Sequence, residues 1–124
     1  MHVKEAPDRG RAPRAVAAFL FDLLQDVSIL RPIVRTLAQE LDLDLTLLYS
    51  VQFEGRDKQG LWRAELEELA ADHGAGMGRF DSPFEVVRAL QGGRGILFSA
   101  SESNLAAHAV NHNVFLAAPA GFVR

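Results

Sequence analysis

Asp22 and Asp26 stand four residues apart in "FLFDLLQDVS", immediately after an apolar run. A carboxylate at that point can act as a general base if a reacting hydroxyl comes within hydrogen-bond reach. A second polar cluster lies in "GILFSASESNLAAH", residues 95 to 108, where Ser99, Ser101, Glu102, Ser103 and Asn104 follow the apolar Ile96-Leu97-Phe98. These side chains can hold a hydroxyl-rich or anionic ligand, helped by the free backbone N–H groups of a helix starting near Ser103. Asp22 and Asp26 are thus the candidate catalytic residues. Ser28, Ser99, Ser101, Glu102, Ser103 and Asn104 are the candidate substrate-binding residues. A plainer role competes for several of them: Ser101 or Ser103 can cap the helix, Glu102 can favour its positive end, and Asp26 or Ser28 can cap the preceding helix.

Other combinations carry less chemistry. His108 and His112 share the spacing of a zinc-binding helix, but Ala109 replaces the Glu of HExxH, and no metal site is expected. "GAGMG" and "GGRG" each follow a helix and precede a strand, the reverse of a dinucleotide fingerprint, so they read as helix stops. There is no P-loop and no GxSxG elbow, and no cofactor is implied. Trp62 and the phenylalanines read as core rather than as a stacking platform.

The elements that must position the two clusters follow from periodicity. Residues 1–13, broken by Pro7, Gly10 and Pro13, form a loose lead-in to a single domain over 14–124. "AVAAFLF" and "LTLLYSV" are short apolar runs of the kind buried on both faces of a parallel sheet. "AGMGRF" is a weaker third strand and "GILFSA" a fourth. "VFLAAP" is ambiguous between a fifth strand and the end of the helix begun near Ser103. From Ser28, a helix is predicted with an apolar stripe of Ile29, Ile33, Leu37 and Leu41, widened by Leu30 and Val34; Pro32 confines its start to Asp26 through Arg31, since proline belongs in a first turn. A second helix carries Leu61, Ala64, Leu66 and Leu69 and stops at Gly74. A third begins with a capping box in "SPFE", Ser82 to Glu85. Alternating strands and helices make an α/β fold, a three-layer Rossmann-like sandwich with a mainly parallel sheet of four to five strands; the expected order is 3-2-1-4(-5), which sets the polar ends of strands one and four side by side. In that order the Asp22 and Ser99 loops meet at the switch point, where such sheets bind ligands.

Composition narrows the classes. The 124 residues are 48% hydrophobic with a net charge of −3, enough for one core and unsuited to the counterion release on which non-specific nucleic-acid binding depends. No nucleic-acid partner is expected. The chain has no cysteine, which excludes disulfides and thiol redox chemistry and is compatible with the cytoplasm. Lys4 to Arg14 followed by "AVAAFLF" imitates a secretory signal, but Asp22 ends the run early. No stretch reaches the roughly 20 apolar residues that cross a bilayer, leaving a soluble protein that can still touch a membrane peripherally.

Taken together, "FLFDLLQDVSILRPIVRTLAQE" and "GILFSASESNLAAHAVN" resemble the N-terminal half of a GT-B-type glycosyltransferase, nearest the CDP-glycerol glycerophosphotransferase and nucleotide-sugar 2-epimerase-like group. The resemblance covers residues 15 to about 124 and rests on element order, the "SILRP" helix start and the polar "SESN" turn. It implies a cytoplasmic transferase of cell-envelope biosynthesis with two Rossmann-like domains facing a cleft. The C-terminal domain would hold the nucleotide donor and this one a polyol or phosphate-bearing acceptor, with Asp22, Asp26, Ser101, Glu102 and Asn104 on the acceptor wall. The first loop lacks the Gly-His pair often found there, so the resemblance assigns no base. The chain ends at "GFVR" as it enters another strand, which predicts a domain inactive without a C-terminal nucleotide-binding partner. The alternative is a receiver-like or flavodoxin-like signalling module of order 2-1-3-4-5. In that fold Asp22, Asp26 and Asp81 would imitate the acidic site, but Ala117-Ala118 stand where its lysine belongs.

Overall fold

The computed structural model describes residues 14–100 and 121–123. Its strands are β1 (Val16–Phe21), β2 (Asp44–Ser50), β3 (Gly76–Phe80), β4 (Gly95–Ser99) and β5 (Phe122–Val123); its helices are α1 (Asp26–Glu40), α2 (Val51–Arg56), α3 (Leu61–His73) and α4 (Pro83–Leu90). The strands form one sheet in the order β3-β2-β1-β4-β5, and every pair is parallel. This is the Rossmann-like α/β sandwich that the alternating pattern predicts. β1 lies between β2 and β4, so the order 2-1-3-4-5 of the signalling alternative is not the one found. Asp81, at the end of β3, is two strands away from Asp22.

β1 is central because both its faces are buried. Ala17, Phe19 and Phe21 pack with Val27, Leu30 and Val34 of α1, Phe53 of α2, and Leu66, Leu69 and Ala70 of α3. Ala18 and Leu20 point to the other face, against Leu48, Phe80 and Leu97 of the sheet and Val86 and Leu90 of α4. Phe19 stacks on Phe98 of β4 with ring centroids 4.6 Å apart. Each fully buried Phe, Leu or Val contributes about 1.5–3 kcal/mol, so β1 and its two neighbours hold their register through side chains on both sides.

Several local expectations are corrected. The buried face of α1 is Val27, Leu30 and Val34, whereas Ile29, Ile33 and Leu41 are exposed; the apolar residues of this helix admit two stripes, and the sheet takes the one containing the valines. Pro32 lies in the second turn, not the first. It removes the N–H that the Ser28 carbonyl would accept, but both residues are on the exposed side, where water can substitute. In α3 the buried residues are Leu66, Leu69 and Ala70, while Leu61 is exposed. Phe84 is exposed and is not a core residue. Ser82 is the N-cap of α4 and Pro83 lies in its first turn, as expected, but neither bond of the capping box is made: Ser82 makes no side-chain cap bond, and the Glu85 carboxylate accepts the N–H of Asp81, one residue earlier than a capping box requires. The short helix α2 was not expected at all. The helix predicted from Ser103 and the "VFLAAP" segment lie outside the described residues. Among the described residues no helix is long and apolar enough to cross a membrane.

Candidate functional site

The carboxyl ends of β1 and β2 lie side by side, because the parallel register sets Phe21 opposite Tyr49. The next residue of β1 is Asp22, and β2 ends at Ser50. Both are buried, as is Asp26, and these three are the buried polar residues among those described. The Ser50 hydroxyl donates to Asp22 Oδ1 at 2.6 Å and accepts the N–H of Phe53 at 3.0 Å. That second bond caps α2, and burial of Phe53 in the core fixes the helix over the strand ends.

α2 in turn brings Arg56 back to β1. Arg56 Nη1 donates to the Asp22 carbonyl oxygen at 2.8 Å and lies 3.8 Å from Asp22 Oδ2. The Asp22 side chain therefore has a hydroxyl donor on one oxygen and a cation near the other. Its main chain is held from both sides, since the carbonyl accepts from Arg56 and the N–H donates to Asp26.

Asp26 has a distinct task. Its Oδ2 accepts the backbone N–H groups of Asp22 at 3.0 Å and Leu23 at 2.9 Å, closing the turn between β1 and α1. The first N–H groups of α1 follow in a tight turn, with Asp26 N bonded to the Leu23 carbonyl and Val27 N to that of Leu24. Neither Asp26 nor Ser28 is the N-cap of α1, a position filled by Gln25 without a side-chain bond. In dinucleotide-binding sheets the backbone N–H groups of this turn face a phosphate. Here a carboxylate of the chain itself already takes two of them.

Of the other candidate residues, Ser28 is exposed in the first turn of α1, and Ser99 is half-buried at the end of β4, in register with Leu20 and so close to the Asp22 end of β1. Ser101, Glu102, Ser103 and Asn104 lie outside the described residues. The structure thus brings together Asp22, Asp26 and, at the adjoining strand end, Ser99, and adds Ser50 and Arg56, which were not singled out from the sequence. A usable signal existed for Ser50. It follows "LTLLY" just as Asp22 follows "AAFLF", and neighbouring parallel strands place such residues together. Arg56 had no comparable signal, because six residues are too few for helical periodicity to show.

The surrounding charges are committed elsewhere. Glu54 accepts from Arg79 Nε at 2.9 Å and lies 3.6 Å from Arg63, and the bond to Glu54 is the main reason the Arg79 guanidinium holds its proton more firmly than usual. The Asp57 carboxylate accepts the N–H groups of Trp62 and Arg63 and so caps α3. Compared with known proteins, the chain has no significant match to any family model, curated protein or solved structure.

Proposed function

We propose that this chain is the acceptor-side domain of a two-domain, GT-B-like transferase that moves a glycosyl or glycerophosphoryl group from a nucleotide-activated donor in the cytoplasm. The observation that carries the reading is the adjacency of β1 and β4 at the point where strand order reverses, with a hydrogen-bonded polar cluster at the carboxyl end of β1. Ligands of open α/β sheets lie there. A polyol or phosphate-bearing acceptor would rest over Asp22, with Ser28, Ser99, Ser101, Glu102, Ser103 and Asn104 as the remaining wall. Its hydroxyl would attack the donor while the nucleotide leaves. Asp22 and Asp26 are the acids proposed to assist that attack, and their burial requires the acceptor to approach through a shift of the loops around them.

The nucleotide would be held by a second domain, because positioning both reactants across a closed cleft supplies much of the rate of such a transfer. The turn between β1 and α1 supports that division of labour, since Asp26 occupies the N–H groups a nucleotide phosphate would need. The test is nucleotide release from CDP-glycerol and a panel of nucleotide-sugars in the presence of polyol acceptors. The 124-residue chain alone is expected to release none above background. Turnover by the chain alone that Asp22→Asn and Glu102→Gln abolish would overturn the two-domain reading.

A further inference from the structure

The buried members of the cluster cannot meet a ligand as they stand: Asp22 and Asp26 are 0% exposed and Ser50 is 1% exposed. Arg56 can, because 35% of its side chain is in solvent. The way it is held differs from that of Arg31 and Arg79. Arg31 and Arg79 each bond a carboxylate directly, at 3.0 Å and 2.9 Å. Arg56 is anchored by a backbone carbonyl, and its nearest carboxylate, at 3.8 Å, is beyond hydrogen-bond distance. Both the hydrogen bond to the carbonyl and the longer approach to Asp22 Oδ2 use Nη1. The acids beside Arg56 on the chain do not compete for the rest of the guanidinium, since Glu54 serves Arg79 and Arg63, and Asp57 caps α3.

From this arrangement we infer that Arg56 is an oxyanion-recognition residue, presenting Nε and Nη2 as a two-pronged donor to a phosphate or carboxylate group of a small ligand. Toward that oxyanion Asp22 and Ser50 act as positioning residues. Ser50 caps the helix that carries Arg56, and Asp22 supplies both the carbonyl that pins Nη1 and the buried countercharge behind it. A guanidinium edge fixed in this way matches an oxyanion bidentately, which a lysine cannot do. The inference deepens the acceptor-side reading and rests on it for the origin of the ligand, though binding itself requires no transfer. The carboxylates of Asp22 and Asp26 oppose added negative charge, so a bare ion binds weakly and is best followed by amide chemical shifts.

The experiment titrates the full chain with inorganic phosphate, acetate and glycerol, using wild type, Arg56→Gln and Arg56→Lys. Phosphate is expected to shift the amides of residues 53–57 and 23–25 saturably, with affinity about tenfold lower in Arg56→Gln and intermediate in Arg56→Lys. Acetate acting on the same amides assigns the site to oxyanions generally, and phosphate acting alone assigns it to phosphate groups. Unchanged phosphate affinity in Arg56→Gln, equal shifts from neutral glycerol, or no saturable response to either anion overturns the inference. If Arg56→Gln loses its native spectrum, Arg56→Lys decides, and undiminished affinity there overturns it. Arg56-dependent binding without any nucleotide-dependent transfer would leave this inference standing and remove the transferase reading.

Discussion

The two ends of the sheet use the same residue types to opposite effect. At the amino-terminal end, Arg14 pairs with Asp42 and Asp44, and roughly half or more of each side chain remains in water. At the carboxyl end, Asp22, Asp26 and Ser50 are withdrawn from solvent and bonded chiefly to one another and to backbone. Exposed ion pairs gain little, because water screens them and two long side chains must be ordered. Buried hydrogen-bonded carboxylates are different: removing one partner leaves others unsatisfied in a place water cannot reach. Register at the first end must therefore come from something other than charge, while the second end is committed to its polar groups.

That something is steric. Gly95 opens β4 opposite Val16 with φ of 154°, and a Cβ added there would lie 1.8 Å from the Val16 carbonyl oxygen. Backbone cannot yield as a side chain does, so Gly95→Ala is expected to give the largest loss, about 3 kcal/mol or more. Chemical denaturation measures it. A loss below that of the polar substitutions at the other end would mean that β4 can move away from β1 without cost.

At the carboxyl end, Asp26→Ala removes the acceptor of two backbone N–H groups and should cost about 2–3 kcal/mol. Asp26→Asn can keep both bonds through its amide oxygen and should cost less than half as much. An equal loss in the two variants would show that the charge, rather than the closure of the turn, is what the fold needs. Ser50→Ala comes next, at about 1–2 kcal/mol, because it removes the cap of α2 and the 2.6 Å donor to Asp22 together. Its sharper readout is hydrogen exchange: the amides of Phe53 to Arg56 should lose protection before those of β1 and β2.

The contrast also explains what was legible in the sequence. The parallel sheet and the location of Asp22 follow from short apolar runs that each end in a polar residue, a pattern that parallel sheets impose on strands buried on both faces, while the strand order rests on the expectation that polar strand ends meet at a switch point. The stripe expected on α1 is right in Leu30, Val34 and Leu37, which pack toward the core, and wrong in Ile29, Ile33 and Leu41, which form as regular a series; only the position of the sheet selects between the two. Ser82 was expected to cap α4 on a motif whose residues are all present. The glutamate reaches Asp81 instead, a choice of rotamer and loop path that sequence does not encode locally. Arg56 depends on a long-range partner 34 residues away, and no local pattern announces such a pair.

The smallest effect is expected from Arg14→Gln. The substitution removes both ion pairs at the amino-terminal end, and partners as exposed as Asp42 and Asp44 simply regain water. The loss should be within about 0.5 kcal/mol and should shrink further as salt is raised, since exposed charges are screened over about 10 Å at 0.1 M ionic strength. The stability of the Asp26 and Ser50 variants relative to wild type should be nearly independent of salt, because their lost bonds lie where counterions do not enter. Denaturant midpoints of Arg14→Gln, Asp26→Ala and Ser50→Ala at low and high salt test both halves of this expectation. A loss above about 1 kcal/mol for Arg14→Gln would show that the exposed pairs fix the start of β1 against β2, and the two ends of the sheet would then differ in degree rather than in kind.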